Sequence, residues 1–200
     1  MSITTYTGLK SAIADFLNRD DLTSAIPTFV SLAEASIARD MRHWLQEKKV
    51  RTSLDEAFEF LPDDWLSTIS LRHADGTEIQ QVGLTEMASL HSVVRSGKPM
   101  YYRVEAGRIE VYPAPDSSFD VDLVYFARIP ALSDAAPTNW LLTNHPDILL
   151  YGSLLHSAPY LGDDARTTVW ASLYASALKS VQDDSSQARH SGPLRMRIKA

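Results

Sequence analysis

The stretch Asn139–Leu178, NWLLTNHPDILLYGSLLHSAPYLGDDARTTVWASLYASAL, decides how the chain is read. It gathers His145, Asp147, His156, Asp163 and Asp164 between Trp140 and Trp170, so it poses a choice between chemistry and helical packing. Spacing favours packing. His145 and Asp147 are two residues apart and diverge on a helix, and His156 follows His145 by three turns, about 16 Å along the axis. A zinc-protease helix needs two histidines four apart with a glutamate between them, and that spacing does not occur. His145-Pro146 reads instead as a helix start with Asp147 in its first turn, where acids meet the positive end of the helix dipole. The stretch is therefore expected to form a helical hairpin. One helix runs from about His145 to Leu161, Gly162-Asp163-Asp164 makes the turn, and a second helix runs from Asp164 to about Val181. Asp163 and Asp164 would cap the orphan amides at its start. Val169, Trp170, Leu173, Tyr174, Ala177, Leu178 and Val181 supply a broad apolar stripe. Pro159 deletes the hydrogen bond to the Leu155 carbonyl, so it bends or ends the first helix.

Upstream of the hairpin, two further helices open the chain. Tyr6, Leu9, Ile13, Phe16 and Leu17 share one face of a helix over about 6–17. A longer helix starts near Pro27, since proline is tolerated in a first turn, with Ile26, Phe29, Val30, Ala33, Ile37, Met41 and Leu45 as its stripe. Glu34, Arg39 and Arg42 lie off the stripe and read as a solvated or inter-subunit face. From Lys49 the pattern changes to short strands. KVRTSL and AFEFLP are strand candidates, LPDDWL turns Trp65 inward, and STISLRHADGTEIQQV reads as a hairpin about Asp75-Gly76. LTEMASLHSVV is a short helix or loop. MYYRVEAGRIEVYPAP forms a second hairpin about Ala106-Gly107, and FDVDLVYFAR turns Val121, Leu123 and Tyr125 to one face. Sequential hairpins predict a mostly antiparallel sheet.

The expected fold class is α+β: a helical bundle of two N-terminal and two C-terminal helices, an inserted antiparallel β-hairpin region and an extended C-terminal tail. By residue, 1–48 and 138–186 form the bundle, 49–137 the β-rich insertion and 187–200 the tail. QDDSSQARHSG reads as polar and mobile. PLRMRIKA alternates apolar and basic residues as a strand does, with Leu194, Met196 and Ile198 on one face and Arg195, Arg197 and Lys199 on the other.

Composition narrows function. The chain has 200 residues, 44% of them hydrophobic, a net charge of −6 and no cysteine. That removes disulfides and thiolate chemistry, and the negative charge argues against sequence-reading nucleic-acid binding. The charge is uneven. Arg189, Arg195, Arg197 and Lys199 put +4 after residue 186, so the preceding residues carry −10 (−6 less 4). No segment reaches the roughly 20 apolar residues that span a bilayer, and the N-terminus lacks a signal-peptide pattern, so a soluble intracellular protein is expected. No nucleophile elbow, phosphate-binding loop or dinucleotide fingerprint occurs. Tyr101, Tyr102 and Tyr112 could stack bases, but Arg103 and Arg108 are offset by Glu105 and Glu110, which favours cross-strand pairing.

The order of these pieces resembles a family. IPTFVSLAEASIARDMR, FLPDDWLS with Pro62 and Trp65, IEVYPAP with Pro113, VDLVYFARIPALSD and the opening stretch together are similar to tailed-bacteriophage head–tail adaptor proteins. In that last stretch the matching residues are Trp140, His145, Pro146, Asp147, Tyr160, Asp163, Asp164, Trp170 and Tyr174. The resemblance implies a structural protein without catalysis, metal or cofactor. It further implies a homo-oligomeric ring, commonly of twelve copies, that sits in the virion below the portal protein. Such a ring extends the DNA channel without sequence-specific contacts and presents a surface to a tail or nozzle protein. C-terminal segments of such adaptors reach to the portal, which implies portal docking for Leu194, Arg195, Met196, Arg197, Ile198 and Lys199. Two alternatives remain open: an intracellular metal-dependent hydrolase using His145, Asp147 or His156, and a DNA-binding accessory protein using the basic tail.

Overall fold

The computed structural model describes residues 3–162 and 165–190, apart from the side chains of Asp20 and His190. The chain divides into two compact units, residues 1–45 with 129–200, and residues 46–128.

The first unit is helical. Helix α1 (Tyr6–Leu17) begins where the Thr5 hydroxyl accepts from the Gly8 amide at 3.1 Å, and it ends at Asn18 in the left-handed conformation (φ 52°). Asparagine tolerates that conformation better than most residues. Helix α2 (Ile26–Asp40) carries its proline in the first turn and ends where Met41 turns extended (φ −117°, ψ 136°). Its expected stripe is buried from Ile26 to Met41. Helix α4 (Trp140–Asn144) is capped by the Asn139 side chain, which accepts from Leu142 N at 2.8 Å. Helices α5 (Pro146–His156), α6 (Ala158–Leu161) and α7 (Arg166–His190) complete the unit. Residues Ile148, Leu149, Leu150, Gly152, Ser153 and Leu154 are all buried, so α5 is covered on nearly every side and forms the unit's centre. A helix in that position needs apolar or small residues all round. Gly152 lets α5 approach closely: a methyl group there would meet the Tyr174 ring at 3.1 Å and the Ala33 methyl at 3.2 Å.

Two helical expectations are corrected. The single helix expected over 145–161 is two pieces, α5 and α6, because the chain breaks at Ser157 before Pro159, and His145, in a non-helical conformation before Pro146, separates α5 from the short α4 ahead of it. Helix α7 runs on to His190, nine residues past Val181, through the segment read as mobile. Burial of Val181 and Ser185 and hydrogen bonds to the last residue of α2 and to the segment after it hold this polar extension in place. The stripe of α7 is also narrower than its apolar residues: Trp170, Ala177 and Val181 are buried, while Val169 and Leu173 are exposed.

The second unit contains strands β1 (Glu47–Leu54), β2 (Phe58–Phe60), β3 (Trp65–His73), β4 (Glu78–Gln81), β5 (Tyr101–Glu105), β6 (Arg108–Tyr112) and β7 (Phe119–Ala127), with α3 (Leu84–Leu90) between β4 and β5. Both expected hairpins form. Leu71 faces Ile79 across the turn at Gly76 (φ 88°), and Arg103 faces Glu110 across Ala106 (φ 46°) and Gly107 (φ 81°). The architecture nevertheless overturns the expected bundle with a hairpin insertion. The strands form one seven-stranded mixed sheet of order β1-β7-β3-β4-β5-β6-β2. β7 lies between β1 and β3, pairing Glu47 with Phe126 and Leu71 with Leu123, and β4 runs parallel to β5 through Gln80 and Tyr101. Alternation shows which face of a strand is buried but not which strand lies beside it, so these long-range pairings leave no local mark.

The sheet curls. Val50, Thr52 and Leu54 of β1, Val121 and Leu123 of β7, Leu71 of β3 and Ile109 of β6 line one apolar cleft of about 210 Å3 with Glu59, Phe60 and Leu61. The two terminal strands of the order, β1 and β2, thus border the same cleft.

Candidate functional site

The histidines and acids of the opening stretch part company in the fold. His145 stands at the junction of α4 and α5, Asp147 is exposed in the first turn of α5, and His156 ends it. His156 Nε2 lies 3.4 Å from the Ser36 hydroxyl, which also accepts from Arg39 at 2.9 Å. Burial, then the Arg39 charge, pushes the His156 pKa below its ordinary value. A neutral imidazole tying α5 to α2 explains this residue without chemistry.

His145 gains a partner that no spacing rule could supply. His43, after α2, is 1% exposed and lies stacked on Trp140 (centroids 5.0 Å apart, 22° between planes) and edge-on to His145 at 6.0 Å. Its Nε2 is 3.4 Å from Asp184 Oδ2 on α7. Candidate ligand atoms of His43, His145 and Asp184 all fall within 4.8 Å of one another. The hydrogen-bond pattern decides what the cluster can do. His43 Nδ1 accepts the Leu45 amide at 3.2 Å, so the ring's hydrogen sits on Nε2 and points at Asp184. A cation would need the Nε2 lone pair, hence a hydrogen on Nδ1 and loss of the Leu45 bond. Burial lowers the His43 pKa, and His145 and Arg189 add repulsion. The cluster as it stands is a latch. It fastens the end of α7 to the segment after α2, helped by Ser185, whose hydroxyl accepts from Trp44 N at 3.1 Å, and by Gln182, which donates to the Asp40 carbonyl at 3.1 Å.

Most other signature residues are packing elements. Trp170 is 5% exposed under the Arg166 guanidinium, and Tyr160 sits edge-on to Phe29 at 5.1 Å. Tyr174 is half-buried, its hydroxyl enclosed and, among the described residues, without a hydrogen-bond partner. Trp65 opens β3 just after Pro62, packs against the sheet core and donates from Nε1 to Thr68 at 3.1 Å; Pro113 follows β6 through a cis peptide bond. Glu34 departs from its expected role on a solvated face. It accepts from Leu132 N at 2.8 Å, and burial raises its pKa. Asp163, Asp164 and the tail residues Leu194, Arg195, Met196, Arg197, Ile198 and Lys199 lie outside the described residues.

On the sheet, cations are matched to acids. Arg103 bridges Glu105 and Glu110, with Glu110 also 3.0 Å from His91 Nε2, and Lys49 and Arg51 converge on Asp122. These pairs hold Asp122 well below the usual carboxylate range, Arg51 acting most strongly. Tyr125 donates to Asp64 at 2.8 Å, and burial together with that carboxylate pushes the phenol up to about 12. Arg103, so engaged, is not displayed for phosphate, which agrees with its cross-strand reading, whereas Arg108, in register with Glu105, places its guanidinium over the Phe60 ring.

Among the described residues, β1 and β2 end the strand order of the sheet. The chain belongs to the SU10 adaptor protein family, whose sequence model matches residues 4–197. That match agrees with the resemblance to head–tail adaptors and makes this a bacteriophage structural protein. No curated protein sequence matches the chain. Among the described residues, no helix is long and apolar enough to cross a membrane.

Proposed function

We propose that this chain is the repeating subunit of a ring at the head–tail junction. The ring binds beneath the portal protein, continues the DNA channel and offers its far face to a tail or nozzle protein, with twelve copies as the expected number. The family match over residues 4–197 carries the reading. Charge supports it: a body of −10 formal charges repels the phosphate backbone, so DNA passes without the counterion-release affinity that would hold it. A ring requires each subunit to bind two neighbours through different faces, and exposed apolar positions such as Phe16, Leu32, Val169 and Leu173 supply candidate contact area. Electron microscopy of the chain mixed with its portal tests the proposal. A ring centred on the portal axis is the expected result. A chain that stays monomeric and shows no affinity for the portal refutes it.

A further inference from the structure

The cleft in the curled sheet is bordered by two strands that, among the described residues, have no strand neighbour on one side. β1 offers eight residues, the first six of them exposed, and β2 exposes Phe58 (47%) and Phe60 (77%). An unpaired edge presents amides and carbonyls to an incoming strand, and an apolar cleft beside it receives that strand's alternate side chains. The site therefore fits an extended segment whose every second residue is apolar.

Charge distinguishes the two borders. On β1 the outward cations Lys49 and Arg51 are already engaged with Asp122, and Lys48, on the opposite face, with Asp64. On the β2 side, Asp55 and Glu56 are exposed and form no salt bridge among the described residues, and Glu59 lines the cleft. Arg108 already lies over the Phe60 ring at 4.4 Å, so this aromatic edge accepts guanidinium groups. A basic strand placed against β1 would set its cations opposite Lys49 and Arg51. Placed against β2, it would set them beside Phe58, Phe60, Asp55 and Glu56.

We propose that the cleft between β1 and β2 receives the C-terminal segment 193–199 of a second copy, added to the β2 edge. The segment lies outside the described residues, and its sequence has the required pattern: Leu194, Met196 and Ile198 alternate with Arg195, Arg197 and Lys199. Six residues in strand conformation span about 20 Å, enough to cover β2 and its acidic approach. Delivery by a second copy rests on the reading of the chain as a self-assembling subunit, in which an exchanged strand makes a heterologous contact. A segment held in a neighbour's cleft is not free to grip a portal, so the two uses exclude one another.

The test uses a fluorescent peptide of residues 191–200 and the full-length chain carrying Met196→Asp and Ile198→Asp, which frees its cleft. Saturable binding by anisotropy is expected, weakened at least tenfold by Asp55→Lys with Glu56→Lys, and again by Val50→Asp. Phe60→Ser, at a mostly exposed position, gives a second variant should Val50→Asp fail to fold by circular dichroism. No saturation up to about 1 mM peptide, or binding indifferent to all these substitutions, overturns the docking. Wild-type chain that excludes the peptide while light scattering reports a monomer overturns delivery by a second copy. A portal-bound ring seen in microscopy alongside a non-binding peptide overturns this docking and leaves the assembly reading standing.

Discussion

Gly152→Ala sets two known effects against each other at the centre of the helical unit. Alanine in a helix interior is favoured over glycine by about 1 kcal/mol, so propensity alone raises stability. Packing opposes it, because the added methyl meets Tyr174 Cε2 at 3.1 Å and the Ala33 methyl at 3.2 Å. Neither neighbour yields easily. The Ala33 methyl is fixed to the α2 backbone and moves only if α2 and α5 separate. Tyr174 has torsional freedom, but its hydroxyl is enclosed, so a swing of the ring moves that end against its surroundings. Overpacking of this kind costs about 1–3 kcal/mol, and the expected net result is a loss of up to about 2 kcal/mol. For a chain of this length, that lowers Tm by up to roughly 8 °C. Calorimetry of Gly152→Ala, Ala33→Gly and the double variant provides the assay. The double variant should recover part of the loss, with a coupling of about 0.5–1.5 kcal/mol. A rise in Tm for Gly152→Ala alone would refute the argument, since it would show that the close approach yields at no cost.

Other substitutions probe the latches and the buried acid. Glu34→Gln keeps an acceptor for the Leu132 amide and removes a carboxylate whose pKa is raised by burial, so its stability at pH 7 should stay within about 0.5 kcal/mol of wild type. Glu34→Ala orphans that amide and should cost about 1–3 kcal/mol in denaturant unfolding. The raised pKa gives wild type extra stability below the ordinary glutamate range that is lost as pH rises through the folded value, and Glu34→Gln should flatten that slope. His43 has the opposite sign: its folded pKa is depressed, so its contribution is present above about 6.5 and lost as pH falls through the folded value. Hydrogen exchange should therefore show the last turns of α7 opening at mildly acidic pH, and a His43→Phe chain showing the same profile would refute the assignment. Ser185→Ala leaves the Trp44 amide without its acceptor and should cost about 1–2 kcal/mol, read by chemical denaturation.

Local chemistry placed most elements where they lie. Helical spacing over Tyr6–Leu17 and the proline at the head of α2 located those helices, and Asp75-Gly76 and Ala106-Gly107 marked the two hairpin turns. The same rules went wrong where a distant contact outweighed propensity. The polar run after Val181 stays helical because Gln182 meets the last residue of α2, and Asp184 and Ser185 meet the segment after it, some 140 residues earlier in the chain. Likewise, nothing in FDVDLVYFAR states that β7 pairs on one side with β1 and on the other with β3.

By itself, the sequence determined the α+β class, the turns, the acidic body and the ordered motifs that mark an adaptor, because each depends on residues near one another along the chain. Tertiary structure alone decided the mixed seven-stranded sheet and its open cleft. It also joined His145 to His43 and Asp184, a latch built from three separate segments of the helical unit. Backbone pairing and side-chain convergence bring together residues whose separation in sequence carries no signal, and only the folded chain reveals which of them meet.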